Sequence, residues 1–113
     1  MNTLRNQVQL IGHVGADPDI FTFENGNKKA SISVATNETY TNSEKEKVTQ
    51  TQWHKVVFFG NQRVEAIEKF LQKGKEIAIT GKLTYRDYQD AQGNKRQLTE
   101  IIADEWMLFG SKE

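Results

Sequence analysis

Few residues in this chain could support catalysis, and their spacing matches no catalytic or metal-binding pattern. The two histidines, His13 and His54, lie in separate segments with no associated motif. Asp17 and Asp19 could bind a cation, but Pro18 between them favours a turn. The segment GHVG lacks the continuation of a phosphate-binding loop, and the absence of cysteine excludes thiolate chemistry. We therefore expect a protein that is not an enzyme and that has no cofactor or metal site.

Aromatic and basic side chains have a more informative spacing in the segment TQWHKVVFFG, residues 51–60. Alternate side chains of a β-strand point to opposite faces. One face then carries Trp53, Lys55, Val57 and Phe59, and the other carries His54, Val56 and Phe58. The first face is either part of a core, with one lysine reaching solvent, or a surface that binds flat, negatively charged groups. On the second face, a structural or interface role for His54 is favoured over a role as a base.

Two further tyrosines extend the pattern of aromatics near cations. Tyr88 shares a predicted strand face with Lys82 and Arg86, and Tyr40 lies in an otherwise polar segment. Aromatics that stack on bases, interleaved with cations that contact phosphates, are what binding of single-stranded nucleic acid requires. Taken singly, each aromatic fits a structural role as well as it fits binding: Trp53 and Phe59 could plug one end of the barrel, and Tyr40 and Tyr88 could be isolated surface residues. The four aromatics together, with cations in register, favour binding of single-stranded nucleic acid.

The elements that position these residues are mostly strands. Alternation of apolar and polar residues predicts five strands, in residues 7–14, 28–38, 51–60, 76–89 and 97–109. Residues 38–50 have no regular apolar period and are predicted to form a long exposed hairpin loop. Gly81, in the middle of the fourth strand, indicates a bulge or a barrel corner.

One helix is predicted over residues 61–75 from apolar residues at helical spacing, namely Val64, Ile67, Phe70 and Leu71. Asn61 is expected to cap its start, and Gly74 lies where a helix commonly ends. The order strand, strand, strand, helix, strand, strand is that of an OB barrel. We therefore expect an all-β protein, a five-stranded OB-fold barrel with one helix between the third and fourth strands.

Composition limits the class of protein further. A chain of 113 residues fits a single domain, so we expect residues 1–113 to form one OB-fold domain. The 15 basic and 15 acidic residues give zero net charge, so any claim of nucleic-acid binding depends on where the charges lie. The sequence has neither a signal peptide nor an apolar run of about 18 residues. We expect a cytoplasmic protein with no membrane partner.

Five segments together resemble the bacterial single-stranded-DNA-binding proteins. They are NQVQLIGHVGADPD (6–19), TQWHKVVFFGN (51–61), KFLQKGK (69–75), GKLTYRDYQDAQGNKR (81–96) and TEIIADE (99–105). The resemblance covers nearly the whole chain in the family's order, so it is more specific than any single motif. It implies an OB fold, assembled as a homotetramer, that coats single-stranded DNA in replication, recombination and repair, in association with the nucleoid.

The resemblance also implies roles for individual residues. The family's base-stacking aromatics fall on Tyr40, Trp53, Phe59 and Tyr88, and its basic contacts fall on Lys55, Lys73 and Arg86. With Lys82 from the strand pattern, these form the expected DNA-binding set. His54 falls at a position that packs between subunits. Gln7, Asn61 and Asp87 stand where relatives often have lysine, so we expect a moderate dependence of binding on salt.

The family usually continues into an acidic tail that recruits replication and repair enzymes. This chain stops at FGSKE, so partners that depend on the tail are not expected. The alternative function is another OB-fold nucleic-acid module, such as a primosome component or an RNA binder. Such a module would share the barrel and some aromatics, but would not need both the opening G-x-D-P segment and the W-H-K strand.

Overall fold

A computed structural model describes residues 3–109. Its elements, in chain order, are a short 3-10 turn (Thr3–Arg5), β1 (Val8–Val14), β2 (Asp19–Thr22), β3 (Lys28–Thr41), β4 (Lys47–Phe59), α1 (Asn61–Phe70), β5 (Glu76–Gln89) and β6 (Lys95–Leu108). Five strands are long and β2 has four residues. The predicted all-β barrel, with its helix between the third and fourth long strands, is confirmed.

The barrel closes because β1 pairs with two different strands. The strand order is β1-β5-β6-β4-β3-β2, and β1 also pairs with β3 at His13 and Val14. Neighbouring strands are antiparallel except β4 and β6, which run parallel where Val56 pairs with Ile101. Closure leaves β2 as a short extra strand on the far side of β3, where it continues the outer surface of the barrel.

The core is built from the alternate residues that each strand directs inward. Phe58 is fully buried and contacts the ring of Trp106 edge to face, with ring centroids 6.1 Å apart. Helix α1 adds Val64 and Ile67 to the same core cluster. Two of the core residues, Val56 and Phe58, belong to the inward face predicted from the TQWHKVVFFG segment.

Gly81 lies at the predicted irregularity in β5. The pairing of β5 with β6 shifts register between Thr80 and Gly81. A Cβ on Gly81 would collide with the carbonyl oxygen of Ile102, so only glycine lets the two backbones approach here. The bulge bends the strand where the barrel turns its corner.

The prediction of a loop over residues 38–50 is wrong, because most of these residues belong to strands. They are mostly exposed, as expected. Strands β3 and β4 remain paired out to Thr41 and Lys47, and we call this extension the β3–β4 arm. Only residues 42–46 turn the chain, and Asn42 Oδ1 accepts backbone N–H groups of Glu44 and Glu46 at 2.9 Å. An arm with two solvated faces needs no apolar alternation, so periodicity could not reveal it.

The predictions for the ends of α1 are also corrected. Gly60, at φ 105°, is the N-cap residue, and Asn61 makes no capping bond. The Asn61 side chain instead accepts the backbone N–H of Lys28 at 2.8 Å and donates to the carbonyl of Gly26 at 3.2 Å. The helix ends at Phe70, before Gly74, and the Phe70 ring is exposed rather than in the core.

Candidate nucleic-acid interface

Strands β3, β4, β6 and β5 lie side by side and share one outer face of the barrel, which we call the outer face. In the outward row of β4, Trp53 is 63% exposed and Phe59 45% exposed, with Lys55 and Val57 between them. Val57, between them, is buried at the centre of the row, where it pairs with Ser31 of β3 and Ile102 of β6. The aromatic rings therefore flank a closely packed middle rather than forming a continuous stripe.

The position of Trp53 depends on Gly15, the last residue of the GHVG segment. His13, Ala35 and Trp53 form one row across β1, β3 and β4. A Cβ on Gly15 would collide with Cζ3 and Cη2 of the Trp53 indole, so the edge of the ring lies against the Gly15 backbone. The segment is thus a packing element that positions an aromatic ring, and it is not a phosphate loop.

Two basic residues of the predicted set meet at a buried carboxylate in the middle of the outer face. The Glu100 side chain is only 8% exposed, and its Oε2 lies 3.3 Å from Arg86 Nη2 and 3.9 Å from Lys55 Nζ. The carboxylate pairs with both cations, Lys55 two residues from Trp53 on β4 and Arg86 two residues from Tyr88 on β5. Phosphate binding at this point has to share these cations with Glu100, or displace it.

Glu100 was not among the site residues predicted from the sequence. The signal was present: in β6 it alternates with buried Ile101 and Ala103, so it lies on the outer face. Finding its partners required knowing that β6 lies between β4 and β5, which the sequence does not specify.

Tyr88 lies farther along the outer face, near the tip of the hairpin formed by β5 and β6. It is partly exposed and pairs with Arg96, a cation that sequence analysis did not assign to the site. Arg96 Nε donates to Asp90 Oδ2 at 3.0 Å. The pKa of Asp90 is held below its usual value mainly by the backbone N–H of Asn94, and then by Arg96. Lys82 lies on the same face of β5, paired with Ile102.

Tyr40 and Lys73 lie apart from this group. In the β3–β4 arm, Tyr40 pairs with Val48, and the alternation of β3 puts it on the side opposite Trp53. Lys73 is in the turn after α1, where its backbone N–H donates to Asp17 Oδ1 at 3.0 Å. Asp17 therefore joins two loops, and residues 3–109 contain no cluster of side chains suited to a metal ion.

His54 is half-buried at the base of the β3–β4 arm. Its Nε2 lies 2.9 Å from Thr36 Oγ1, within the same chain. This hydrogen bond satisfies one ring nitrogen, and the predicted role between subunits stays a prediction.

Within the described residues no helix is long and apolar enough to cross a membrane. The expected lack of a tail concerns residues from 110 onward, which lie outside the described part.

The fold and the outer face define an OB-barrel binding protein, and comparisons with known proteins specify the family. Residues 5–109 match the model of the single-strand binding protein family. The chain is 43% identical over 109 residues to single-stranded DNA-binding protein 1 of Xylella fastidiosa, covering 96% of this chain and 79% of that protein. It is 39% identical over 98 residues to the single-stranded DNA-binding protein of Rhizobium meliloti, covering 86% of this chain and 56% of that protein. The chain belongs to the single-strand binding protein family.

Solved structures agree with this assignment. The Plasmodium falciparum SSB complex with ssDNA superposes with a TM-score of 0.85 at 33% identity, covering 93% of this chain and 95% of that one. A deletion mutant of the single-stranded DNA binding protein from Thermus aquaticus gives a TM-score of 0.80 at 26% identity, covering 95% of this chain and 51% of that one. The chain thus spans about half the length of some relatives and nearly all of others.

Proposed function

We propose that this protein binds single-stranded DNA without sequence specificity and protects it during replication, recombination and repair. The observation that carries the proposal is the outer face, where exposed Trp53 and Phe59 flank Lys55 and the Arg86–Glu100 pair. Membership of the single-strand binding protein family supports it independently. The protein acts as one OB-fold domain at the nucleoid of the cytoplasm and is not an enzyme.

Binding without sequence preference follows from the chemistry of the face. Every base has a π-face, so a ring such as Trp53 stacks on any of them, with about 1–3 kcal/mol lost per base when the ring is removed. Lys55 and Arg86 contact phosphates, which carry no sequence information. Tyr88 continues the path along the β5–β6 hairpin, with Lys82 as a further cation. Tyr40 and Lys73 contact the strand where it leaves this face.

A second part of the proposal is assembly into homotetramers. The edge of β1 opposite β5 has no partner strand from Val8 to Gly12 within residues 3–109. Exposed Ile11 and Met107 form an outer row with Ala78 across β1, β5 and β6. A free strand edge beside an apolar row favours association with another copy.

Light scattering at micromolar concentration tests assembly directly. A tetramer mass is expected, and Ile11→Asp should shift it to smaller species. A charged substitution at His54 should act in the same direction if that residue packs between subunits. A monomer mass for the unaltered protein would contradict the assembly.

Competition binding tests the function itself. Single-stranded DNA, duplex DNA and RNA of equal length compete for the protein against a labelled oligothymidylate. Single-stranded DNA should compete best, because duplex bases are not free to stack on Trp53 and Phe59. Stronger competition by RNA would instead favour an RNA-binding OB module.

A further inference from the structure

A second aromatic and basic row lies beside Phe59, on strand β2. Phe21 of β2 pairs with Lys29 of β3, and Lys29 pairs with Phe59 of β4. Paired residues of neighbouring strands point to the same face, so all three side chains lie in one row on the outer face. Strands lie about 4.8 Å apart, which puts the backbones of Phe21 and Phe59 within about 10 Å of each other. We call these three residues the β2 row.

The Phe21 ring is exposed and held in place by its neighbours. It is 53% exposed and is not part of the core cluster. Phe23 contacts it edge to face, with centroids 4.9 Å apart, and Lys29 Nζ lies 5.9 Å from its centroid. A ring that contributes nothing to the core, yet is restrained on two sides, is suited to stacking on a flat ligand.

The charges around the row favour a polyanion. Lys29 has no ion pair with any residue in 3–109. Asp19 lies on the same face of β2, but two residues farther along, opposite Ser31. The cation therefore lies between the two rings, and the carboxylate lies to one side of the row.

We propose that the β2 row is an additional nucleotide subsite, in which Phe21 stacks on a base and Lys29 contacts a phosphate of the same strand. The occupant is single-stranded DNA because the row continues the outer face beyond Phe59. The inference rests on the proposed function and extends the path of the DNA from Trp53 across β4 to the edge strand β2. Phe21 was not among the residues predicted from the sequence to bind DNA.

The chain offers a closely matched control. Phe70 is 54% exposed, and Lys69 Nζ lies 5.6 Å from its ring centroid, but it is at the end of α1 and outside the β2 row. Phe21→Ala should weaken binding of a long oligothymidylate roughly 5- to 150-fold, the range for loss of one stacked base. Phe70→Ala should bind as the unaltered protein does. An oligonucleotide too short to reach from Trp53 to Phe21 should not distinguish the two variants.

Three more variants separate stacking from folding and charge. Phe21→Leu keeps an apolar side chain without the ring and should weaken binding as Phe21→Ala does, whereas Phe21→Trp should bind at least as tightly as phenylalanine. Lys29→Ala should make the slope of log affinity against log salt less negative by about 0.7. Circular dichroism and urea unfolding confirm that each variant is folded.

The outcomes distinguish the subsite from the function on which it rests. If Trp53→Ala weakens binding and Phe21→Ala binds like Phe70→Ala, the subsite is wrong and DNA binding stands. If the unaltered protein binds no single-stranded DNA, both proposals are wrong. If Phe21→Leu binds as tightly as the unaltered protein, Phe21 contributes apolar packing and does not stack on a base.

Discussion

The indole ring of Trp53 lies against the backbone of Gly15, with Cη2 2.8 Å from the position that a Cβ on residue 15 would occupy. Real Cβ atoms essentially never come this close to another heavy atom. Gly15 thus sets the position of the most exposed aromatic ring of the outer face.

Gly15→Ala should displace the Trp53 ring and weaken DNA binding, while leaving the core intact. The affinity of Gly15→Ala for DNA should lie between those of the unaltered protein and of Trp53→Ala, because the ring is moved but still present. The fluorescence anisotropy of a labelled oligothymidylate measures the affinity, because this readout does not depend on the Trp53 ring. In a Trp53→Ala background, Gly15→Ala should have little further effect. Equal losses in both backgrounds would show that Gly15 acts independently of the ring.

Phe58→Ala and Trp53→Ala should have opposite effects. Phe58 is fully buried against Trp106, so its truncation should lower the free energy of unfolding by about 3–5 kcal/mol. Trp53 is largely exposed, so its truncation should leave urea unfolding nearly unchanged. If Trp53→Ala unfolded the protein while Phe58→Ala affected only DNA binding, the two faces of β4 would be wrongly assigned.

Glu100→Gln should strengthen DNA binding at low salt. Removing the carboxylate frees Lys55 and Arg86 to interact with phosphates, and the salt slope should become more negative by up to about 0.7 for each cation released. Glu105→Gln makes the same change of charge on β6 at an exposed position that forms no ion pair among residues 3–109, and it serves as the control. Weaker binding by Glu100→Gln would mean that the carboxylate chiefly orients the two cations.

The turn of the β5–β6 hairpin should weaken in acid. Asp90 Oδ1 accepts the backbone N–H groups of Gln92 and Asn94 at 2.9 Å, and the pKa of this carboxyl is lowered from 3.8. A pKa that is lower in the folded state than in the unfolded state stabilises the folded protein at pH values above the ordinary pKa. That contribution is lost as the pH falls from 3.8 through the folded pKa. Carboxyl NMR titration of Asp90 should show a midpoint below 3.8.

Asp90→Asn is the matched control for this titration. Asn42 occupies the corresponding position in the turn of the β3–β4 arm and accepts the same two kinds of backbone bond. The variant should therefore keep the turn and lose the part of the acid sensitivity that the Asp90 carboxyl contributes. A carboxyl of Asp90 that titrates at or above 3.8 would contradict the account.

Patterns that follow from burial could be predicted from the sequence. Val56 and Phe58 lie two residues apart because one side of β4 faces the core, and Gly81 marks a bulge because two backbones meet there. Residues without such a constraint could not be placed. Tyr40 lies on an arm with two solvated faces, so only the pairing of β3 with β4 shows which side it occupies.

Tertiary contacts account for the remaining differences. Asn61 has the residue type of a helix cap, but the turn before β3 provides closer partners for its amide. Glu100 becomes the centre of the outer face only when the parallel pairing of β4 and β6 brings Lys55 close to it. Neither relationship has a signal in the local sequence.

The proposed function depends above all on stacking of Trp53 on a base of single-stranded DNA, and intrinsic fluorescence tests this contact directly. The protein has two tryptophans, and Trp106 is partly buried against the core, so quenching on titration with oligothymidylate should come from Trp53. Trp53→Ala should abolish most of the quenching and weaken binding roughly 5- to 150-fold, with the fold retained. A folded Trp53→Ala variant that binds with unchanged affinity would contradict the account.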